Sequence, residues 1–234
     1  MILKYLTENF NFITYGLELL AAIVGAFCYG AYKNTTTKWF IYFLFYVVFV
    51  ECVGASLMYF RAHSIIKFIN RFGVRSTSWY NLFWFFGSTL FLLVFYYKLV
   101  QSKLYKQLLL GLMLVFVIIF AGYTVFNFQG FLKSHPLFYS MLCAGVILLS
   151  VSLYFIDFIK RDAIIKAFST FSFYISIVFL VWWIIIAPTL IFNPYNTEND
   201  WDFVNLKRRI FLFSNMFMYL TYTFALIWCR PEQK

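Results

Sequence analysis

The sequence is poor in charged side chains. Asp, Glu, Lys and Arg make up 12% of its 234 residues, and only nine residues are acidic. An ordinary soluble domain draws about a quarter of its residues from these four types. Hydrophobic residues account for 63% of the chain, which is more apolar surface than one soluble core can bury. A soluble domain is therefore excluded, and the excess apolar surface must face hydrocarbon.

The sequence also lacks the motifs of the common hydrolytic and nucleotide-binding enzymes. It contains no GxSxG, HExxH, GxxxxGK[ST] or CxxC pattern. Its two histidines, His63 and His135, lie in connectors with no third ligand in register. We predict that the protein is not an enzyme and holds no metal or other cofactor. The cysteines fall in apolar runs, as small helix-packing residues do, at Cys28, Cys52, Cys143 and Cys229.

A formal net charge of +10 would suggest nucleic acid as a partner of a soluble protein. Here the Lys and Arg residues stand between the apolar runs, which is typical of side chains at lipid headgroups. We therefore predict the lipid bilayer and its anionic headgroups as partners, and no nucleic acid. A membrane or cytoplasmic protein is a further partner to consider. The basic residues are shared almost equally between alternate connectors, so they do not determine the orientation.

Seven apolar runs are long enough to cross a bilayer, because about 20 helical residues span about 30 Å of hydrocarbon. We predict an all-α membrane protein: a bundle of seven transmembrane helices with one short interfacial amphipathic helix, forming a single transmembrane domain over 1–234. The residues before the first run, Met1 to Asn9, are too few and too polar for a signal peptide with a cleavage site, so we predict that the first run is kept as a span. The predicted spans lie near 10–32, 39–60, 79–100, 105–127, 137–158, 168–192 and 209–229.

Two connectors are longer than the others. The first predicts an interfacial amphipathic helix over 62–75, although an irregular basic loop would also fit. Its apolar positions at helical spacing are Ile65, Phe68, Ile69 and Phe72. The basic positions on the opposite side, predicted to lie at the lipid interface, are Lys67, Arg71 and Arg75. The second long connector, 193–202, is acidic and rich in Asn. Asp157, near the end of the fifth span, is interpreted as part of a solvated helix end.

Two carboxylic acids, Glu18 and Glu51, fall inside the first and second spans. A charged residue at membrane depth costs at least about 2.5 kcal/mol on insertion scales, so it rarely lacks a role. Counted from the short connector that both helices share, the two acids lie about 21 and about 18 Å deep. The small residues on their faces predict that both point into the bundle. We predict a shared layer that binds a small ligand, a cation or a proton; hydrogen-bonded helix packing is the alternative.

Polar residues on other helices are candidates for the same layer. Asn215, Tyr219 and Tyr222 share one face of the seventh span, while Asn81, Trp84 and Ser88 share one face of the third. The predicted site residues besides the two acids are Asn215, Tyr219, Tyr222, Asn81 and Ser88. For each stripe taken alone, helix packing through hydrogen bonds is the commoner explanation.

The chain resembles, over most of its length, a family of small seven-helix membrane proteins common in Bacteroidota. The resemblance rests on Glu18 to Gly25 with the following FCYGAYKN, FVECVG around Glu51, NLFWFFGSTLFLLVFYYK in the third span, and the terminal YLTYTFALIWCR. The chain departs from the family at Gly87 and Ser88, near a position where relatives carry a further Glu. The resemblance implies a multi-pass protein of the bacterial inner membrane and a seven-helix bundle; it implies no activity.

Three functions follow from these observations as hypotheses. The first is a sensor or receptor-like component whose buried acidic site binds a small ligand, a cation or a proton. The second is a proton- or cation-coupled transporter or channel, although no duplicated half is visible. The third is an interaction or effector subunit of a membrane assembly, such as a defence system, which the basic amphipathic segment and the lack of a soluble domain suggest.

Overall fold

The computed structural model describes residues 6–71, 73–161, 167–192, 201–229 and 231. Over those residues the chain is helical and contains no strand. Seven of the described helices are long and apolar enough to cross a membrane, which confirms the predicted all-α fold with seven spans. They are α1 (Phe10–Tyr32), α2 (Thr37–Tyr59), α4 (Ser76–Leu99), α5 (Lys103–Phe126), α7 (Leu137–Lys160), α8 (Phe171–Ile191) and α9 (Trp201–Trp228). Two short helices lie between the spans, α3 (Ser64–Arg71) and α6 (Phe128–Lys133).

The main error in the predicted boundaries is at the seventh span. We expected it near residue 209, but α9 begins at Trp201. No Gly or Pro interrupts residues 201–208, and Asp202 in the first turn is stabilised by the positive end of the helix dipole. The polar turns therefore extend the helix beyond its apolar part. Most of the acidic connector, residues 193–200, lies outside the described residues.

The two short helices also correct the sequence prediction. The amphipathic segment is helical, as predicted, but over Ser64–Arg71 and not over 62–75. Gly73 follows it with a φ of 81°, a left-handed conformation that glycine adopts readily at helix ends. The segment between the fourth and fifth predicted spans, residues 128–136, contains the short helix α6.

Helix α4 is not a uniform α-helix. It starts as one α-helical turn at Ser76–Trp79, continues as a π-helix over Tyr80–Gly87, and returns to α-helix at Ser88–Leu99. A π-helix has wider turns, with hydrogen bonds from residue i to i+5, and it occurs frequently at functional sites.

The chain divides into two compact units. The first unit comprises Met1–Leu44 and Phe158–Lys234, and the second comprises Phe45–Asp157. Helices α2 and α7 contribute residues to both units.

In the first unit, α9 packs against α1 and α8. The aromatic core is centred on the buried ring of Phe40, whose centroid lies 4.9 Å from that of Tyr222 and 5.4 Å from that of Phe171. The hydroxyl of Tyr32 donates to the carbonyl of Cys229 at 2.6 Å. This bond satisfies one of the carbonyls that the end of α9 leaves without a partner in the helix.

In the second unit, aromatic rings from α4, α5 and α7 form the core. Phe120 lies between Phe86 and Tyr139, with ring centroids 4.8 and 4.5 Å away. Asp157 of α7 is buried, which corrects its interpretation as a solvated residue. Its two carboxylate oxygens accept the backbone N–H groups of Gln101 and Ser102 at 3.0 and 3.1 Å. Asp157 therefore supplies acceptors to the donors ahead of α5, where a negative charge is favourable.

Candidate functional site

The carboxyl group of Glu51, on α2, has a partner on α4 within the second unit. The hydroxyl of Tyr80 donates a hydrogen bond to Oε2 of Glu51 at 2.8 Å. Glu51 is only partly exposed and lies within a predicted membrane span, where an unsatisfied carboxylate would be costly. Tyr80 is also the first residue of the π-helix. The acid predicted from sequence is therefore connected directly to the irregular segment of α4.

Gly54, one helical turn after Glu51, makes room for the Tyr80 ring. A Cβ atom at Gly54 would stand 2.9 Å from Cε2 of Tyr80, and closer still to its Cζ and hydroxyl oxygen. Side-chain carbon atoms do not approach one another this closely without displacement. The adjacent Trp79 donates its indole N–H to the carbonyl of Val50 at 3.0 Å. Two consecutive aromatic residues thus hold the start of α4 against the face of α2 that carries Glu51.

Side chains from two neighbouring helices bind carbonyl groups of the π-helix. The hydroxyl of Tyr46 on α2 donates to the carbonyl of Phe83 at 2.6 Å. The thiol of Cys143 on α7 donates to the carbonyl of Phe85 at 3.3 Å. Gly87 leaves space for the Tyr46 hydroxyl, which would meet any Cβ placed there. These contacts stabilise a backbone conformation that local propensity alone rarely selects.

Asn81, the second residue of the π-helix, is completely buried and uses its whole amide group. Its Nδ2 donates to the carbonyls of Phe131 at 2.7 Å and Ser134 at 2.8 Å. Carbonyl oxygens only accept, so these two bonds determine which way the amide points. Oδ1 therefore faces Nδ1 of His135, 2.8 Å away. The proton of that hydrogen bond must be on Nδ1 of the imidazole, which leaves Nε2 as the titrating atom.

The carbonyls that Asn81 binds belong to the end of α6 and the residues that follow it. Thr77 adds a third bond of the same kind, from its hydroxyl to the carbonyl of Leu132 at 2.6 Å. The last turn of any helix leaves carbonyl groups without partners in the helix. Side chains from the start of α4 therefore complete the hydrogen bonding of the segment that carries His135.

His135 lies against the aromatic start of α4. Its ring centroid is 6.4 Å from that of Tyr80 and 6.3 Å from that of Phe85. Part of the residue stays exposed, yet the surrounding protein desolvates the imidazole and lowers its pKa, because burial disfavours the charged form. The second unit thus contains a continuous set of neighbours, Glu51, Tyr80, His135 and Asn81, which we call the Glu51 cluster.

The remaining predicted site residues are distributed between the two units. Ser88 directs its hydroxyl toward a carbonyl of its own helix, that of Phe83, at 3.5 Å. The wider turns of the π-helix place Asn81 and Ser88 differently from the regular helical stripe that we expected. Lys67, Arg71 and Arg75, which the sequence predicts at the lipid interface, are exposed on and beside α3.

In the first unit, Glu18 is buried on α1, with Thr14 one turn before it. Asn215 on α9 accepts the indole N–H of Trp182 through Oδ1 at 2.9 Å. Tyr219 and Tyr222, also on α9, are both buried, with ring centroids 5.9 Å apart. Glu18 and Glu51 belong to different units, so their shared layer stays a prediction of the sequence.

Sequence reasoning missed Tyr80, His135, Thr77 and the role of Gly54. The available signal was weak: a glycine three residues after a membrane carboxylate, and a tyrosine at the start of the next long span. The sequence places no set of metal ligands near His135 and so predicts no role for it. Across the described residues, no group of three His, Cys, Asp or Glu side chains is placed to hold a metal ion.

The Glu51 cluster can exchange protons and form hydrogen bonds, with a carboxyl group, a phenol and an imidazole among its members. Comparison of the chain with protein-family models, with curated proteins and with solved structures finds no match.

Proposed function

We propose that this integral membrane protein is a proton sensor, in which Glu51 binds the proton and the π-helix of α4 responds. The observation that carries the proposal is the hydrogen bond from Tyr80, the first residue of the π-helix, to Oε2 of Glu51. A proton is the smallest of the species that the sequence suggested for a membrane carboxylate, and it needs no cavity.

Protonation would act on the contact between α2 and α4. A hydroxyl group binds a carboxylate more strongly than it binds a neutral carboxylic acid, because the charge assists the hydrogen bond. Adding a proton to Glu51 therefore weakens its bond with Tyr80. Beyond Tyr80, His135 is the next titratable side chain in the Glu51 cluster.

The π-helix is suited to respond because it competes with the ordinary α-helix. Closing one π turn into an α turn shifts the helix register by one residue, which rotates the residues beyond it by about 100°. Tyr80, Tyr46 and Cys143 all bind within or beside this segment in the present conformation. Loss of the Tyr80 bond would remove part of that support and shift the population toward the regular helix.

Infrared difference spectroscopy on the full chain in lipid nanodiscs tests the proton-binding step. Between about pH 8 and about pH 5, where an ordinary exposed carboxylic acid stays mostly ionised, we expect a protonated-carboxyl band that Glu51→Gln removes. The matched control is Glu8→Gln, which makes the same change at an exposed position and should keep the band. A band that persists in Glu51→Gln contradicts the proposal.

Labelling of Cys143 tests the conformational step, because its thiol binds the π-helix. We expect acid to increase its maleimide labelling relative to that of Cys28, in the wild type and in Glu8→Gln. Taking the ratio of two thiols in one molecule reduces the direct effect of pH on thiol chemistry. In Glu51→Gln the labelling ratio should not depend on pH. If acid raises the ratio in that variant as much as in the wild type, the sensor is refuted.

Transport is the alternative that the same acid would serve, and a flux assay separates the two. A sensor should give no proton flux above that of empty liposomes under an applied membrane potential. Wild-type flux that Glu51→Gln abolishes would identify a proton transporter in place of a sensor.

A further inference from the structure

The short helix α3 separates its apolar and polar residues completely. At about 100° per residue, its four apolar side chains fall on one side and its polar ones on the other. The apolar residues are Ile65, Ile66, Phe68 and Ile69. The polar residues are Ser64, Lys67, Asn70 and Arg71. This pattern is typical of a helix that lies along the boundary between water and an apolar phase.

The apolar side of α3 stays largely exposed in the described part of the chain. No residue of the helix is buried, and Ile65 and Phe68 are 63% and 59% exposed. An isolated helix of eight residues is unstable in water, because the cost of starting a helix is recovered only over many residues. A surface that receives Ile65 and Phe68 would supply the missing stabilisation.

The position and charge of α3 identify the surface. Four residues separate α3 from the end of α2 at Tyr59, and four separate it from the start of α4 at Ser76, so these short linkers keep it close to the ends of two spans. Residues 60–75 contain no Asp or Glu. They contain four basic residues besides a histidine: Arg61, Lys67, Arg71 and Arg75.

We infer that α3 is a binding site for anionic phospholipid headgroups, with Ile65 and Phe68 inserted among the acyl chains. Lys67 and Arg71 lie on the polar side of the helix, and the exposed Arg75 follows the turn at Gly73. Each Lys or Arg near an anionic membrane surface strengthens association about fivefold. This inference is independent of the proposed proton sensor.

Hydrogen exchange of the full chain in nanodiscs tests the inference in two bilayers, one of phosphatidylcholine alone and one containing phosphatidylglycerol. We expect the α3 amides to exchange more slowly with phosphatidylglycerol. Replacing three charges together, as Lys67→Gln, Arg71→Gln and Arg75→Gln, should remove about 100-fold of that protection, the product of three fivefold effects. Unchanged exchange in the other helices shows that the variant is folded.

The matched control removes three lysines around the start of α5, as Lys98→Gln, Lys103→Gln and Lys106→Gln, with the same change in net charge. It should leave the lipid dependence of α3 intact. If both triple variants lose the same amount of α3 protection, a general charge effect explains the result and the inference is overturned. Exchange of α3 at the rate of an unstructured chain in both bilayers would also overturn it, and would favour a protein partner for the apolar side.

Discussion

Tyr80 donates its hydroxyl hydrogen to Oε2 of Glu51 at 2.8 Å, while its ring lies over Gly54 on the same helix as the acid. One side chain thus combines a polar contact with a close packing contact between α2 and α4. The two contacts can be removed separately, because the hydroxyl and the space beneath the ring depend on different residues.

Tyr80→Phe removes the hydroxyl and keeps the ring. We expect unfolding free energy to fall by about 1 to 3 kcal/mol, the range for a hydrogen bond to a charged or buried group. Denaturant titration in micelles provides the measurement. In a double-mutant cycle with Glu51→Gln, the two losses should not add. Additive losses would mean that the hydroxyl and the carboxyl do not stabilise each other.

Gly54→Ala removes the space and keeps the hydroxyl. Its new methyl group must displace the Tyr80 ring, at a cost of about 1 to 3 kcal/mol typical of overpacking. Gly111→Ala on α5 is the matched control, because nothing lies within 4 Å of a Cβ atom there. The control should be neutral or slightly stabilising, since alanine favours helix. Equal thermal stability of the two variants would show that the Tyr80 ring yields without cost.

Asn81→Asp tests the amide orientation. The substitution replaces Nδ2 with an oxygen that faces the carbonyls of Phe131 and Ser134. Two acceptors lose their donor and a buried charge is introduced, so we expect a loss of more than about 2 kcal/mol. Asn127→Asp is the control, because Asn127 donates to the Tyr123 hydroxyl, which can rotate and donate to a carboxylate. Comparable thermal stability of both variants would contradict the assigned orientation.

The lowered pKa of His135 predicts the sign of a pH effect on stability. As pH falls through about 6.5, the unfolded chain binds a proton before the folded protein does. His135 therefore makes the folded state less stable as pH falls from about 6.5 to its lower folded pKa, and the penalty is constant below that. His135→Asn keeps a donor near the Nδ1 position and does not titrate. The unfolding free energy of the wild type minus that of this variant should rise with pH in that window. A difference that stays flat or falls contradicts the lowered pKa of His135.

Several features of the site could be predicted from sequence alone. Glu51 and Asn81 were selected because polar side chains are rare and costly in apolar spans. Lys67 and Arg71 were placed opposite Ile65 by helical periodicity, and the structure has a helix there. These predictions needed only composition and local spacing.

Other features depend on residues far apart in the chain. Tyr80 meets Glu51 across 29 positions, and Asn81 meets His135 across 54. No local pattern encodes the π-helix at Tyr80–Gly87, because its carbonyl groups are bound by side chains of α2 and α7. Regular α-helical spacing predicts that Asn81 and Ser88 share one face of α4, but the wider turns of the π-helix change the angle between them.

The sequence by itself determined the membrane class, the seven spans and the basic amphipathic helix, because each follows from the cost of placing polar groups in hydrocarbon. Only the tertiary structure decided that Tyr80 binds Glu51, that the amide of Asn81 orients His135, and that α4 contains a π-helix. Those features result from packing between helices, because each side chain can bind only the donor, acceptor or space that the neighbouring helix places beside it.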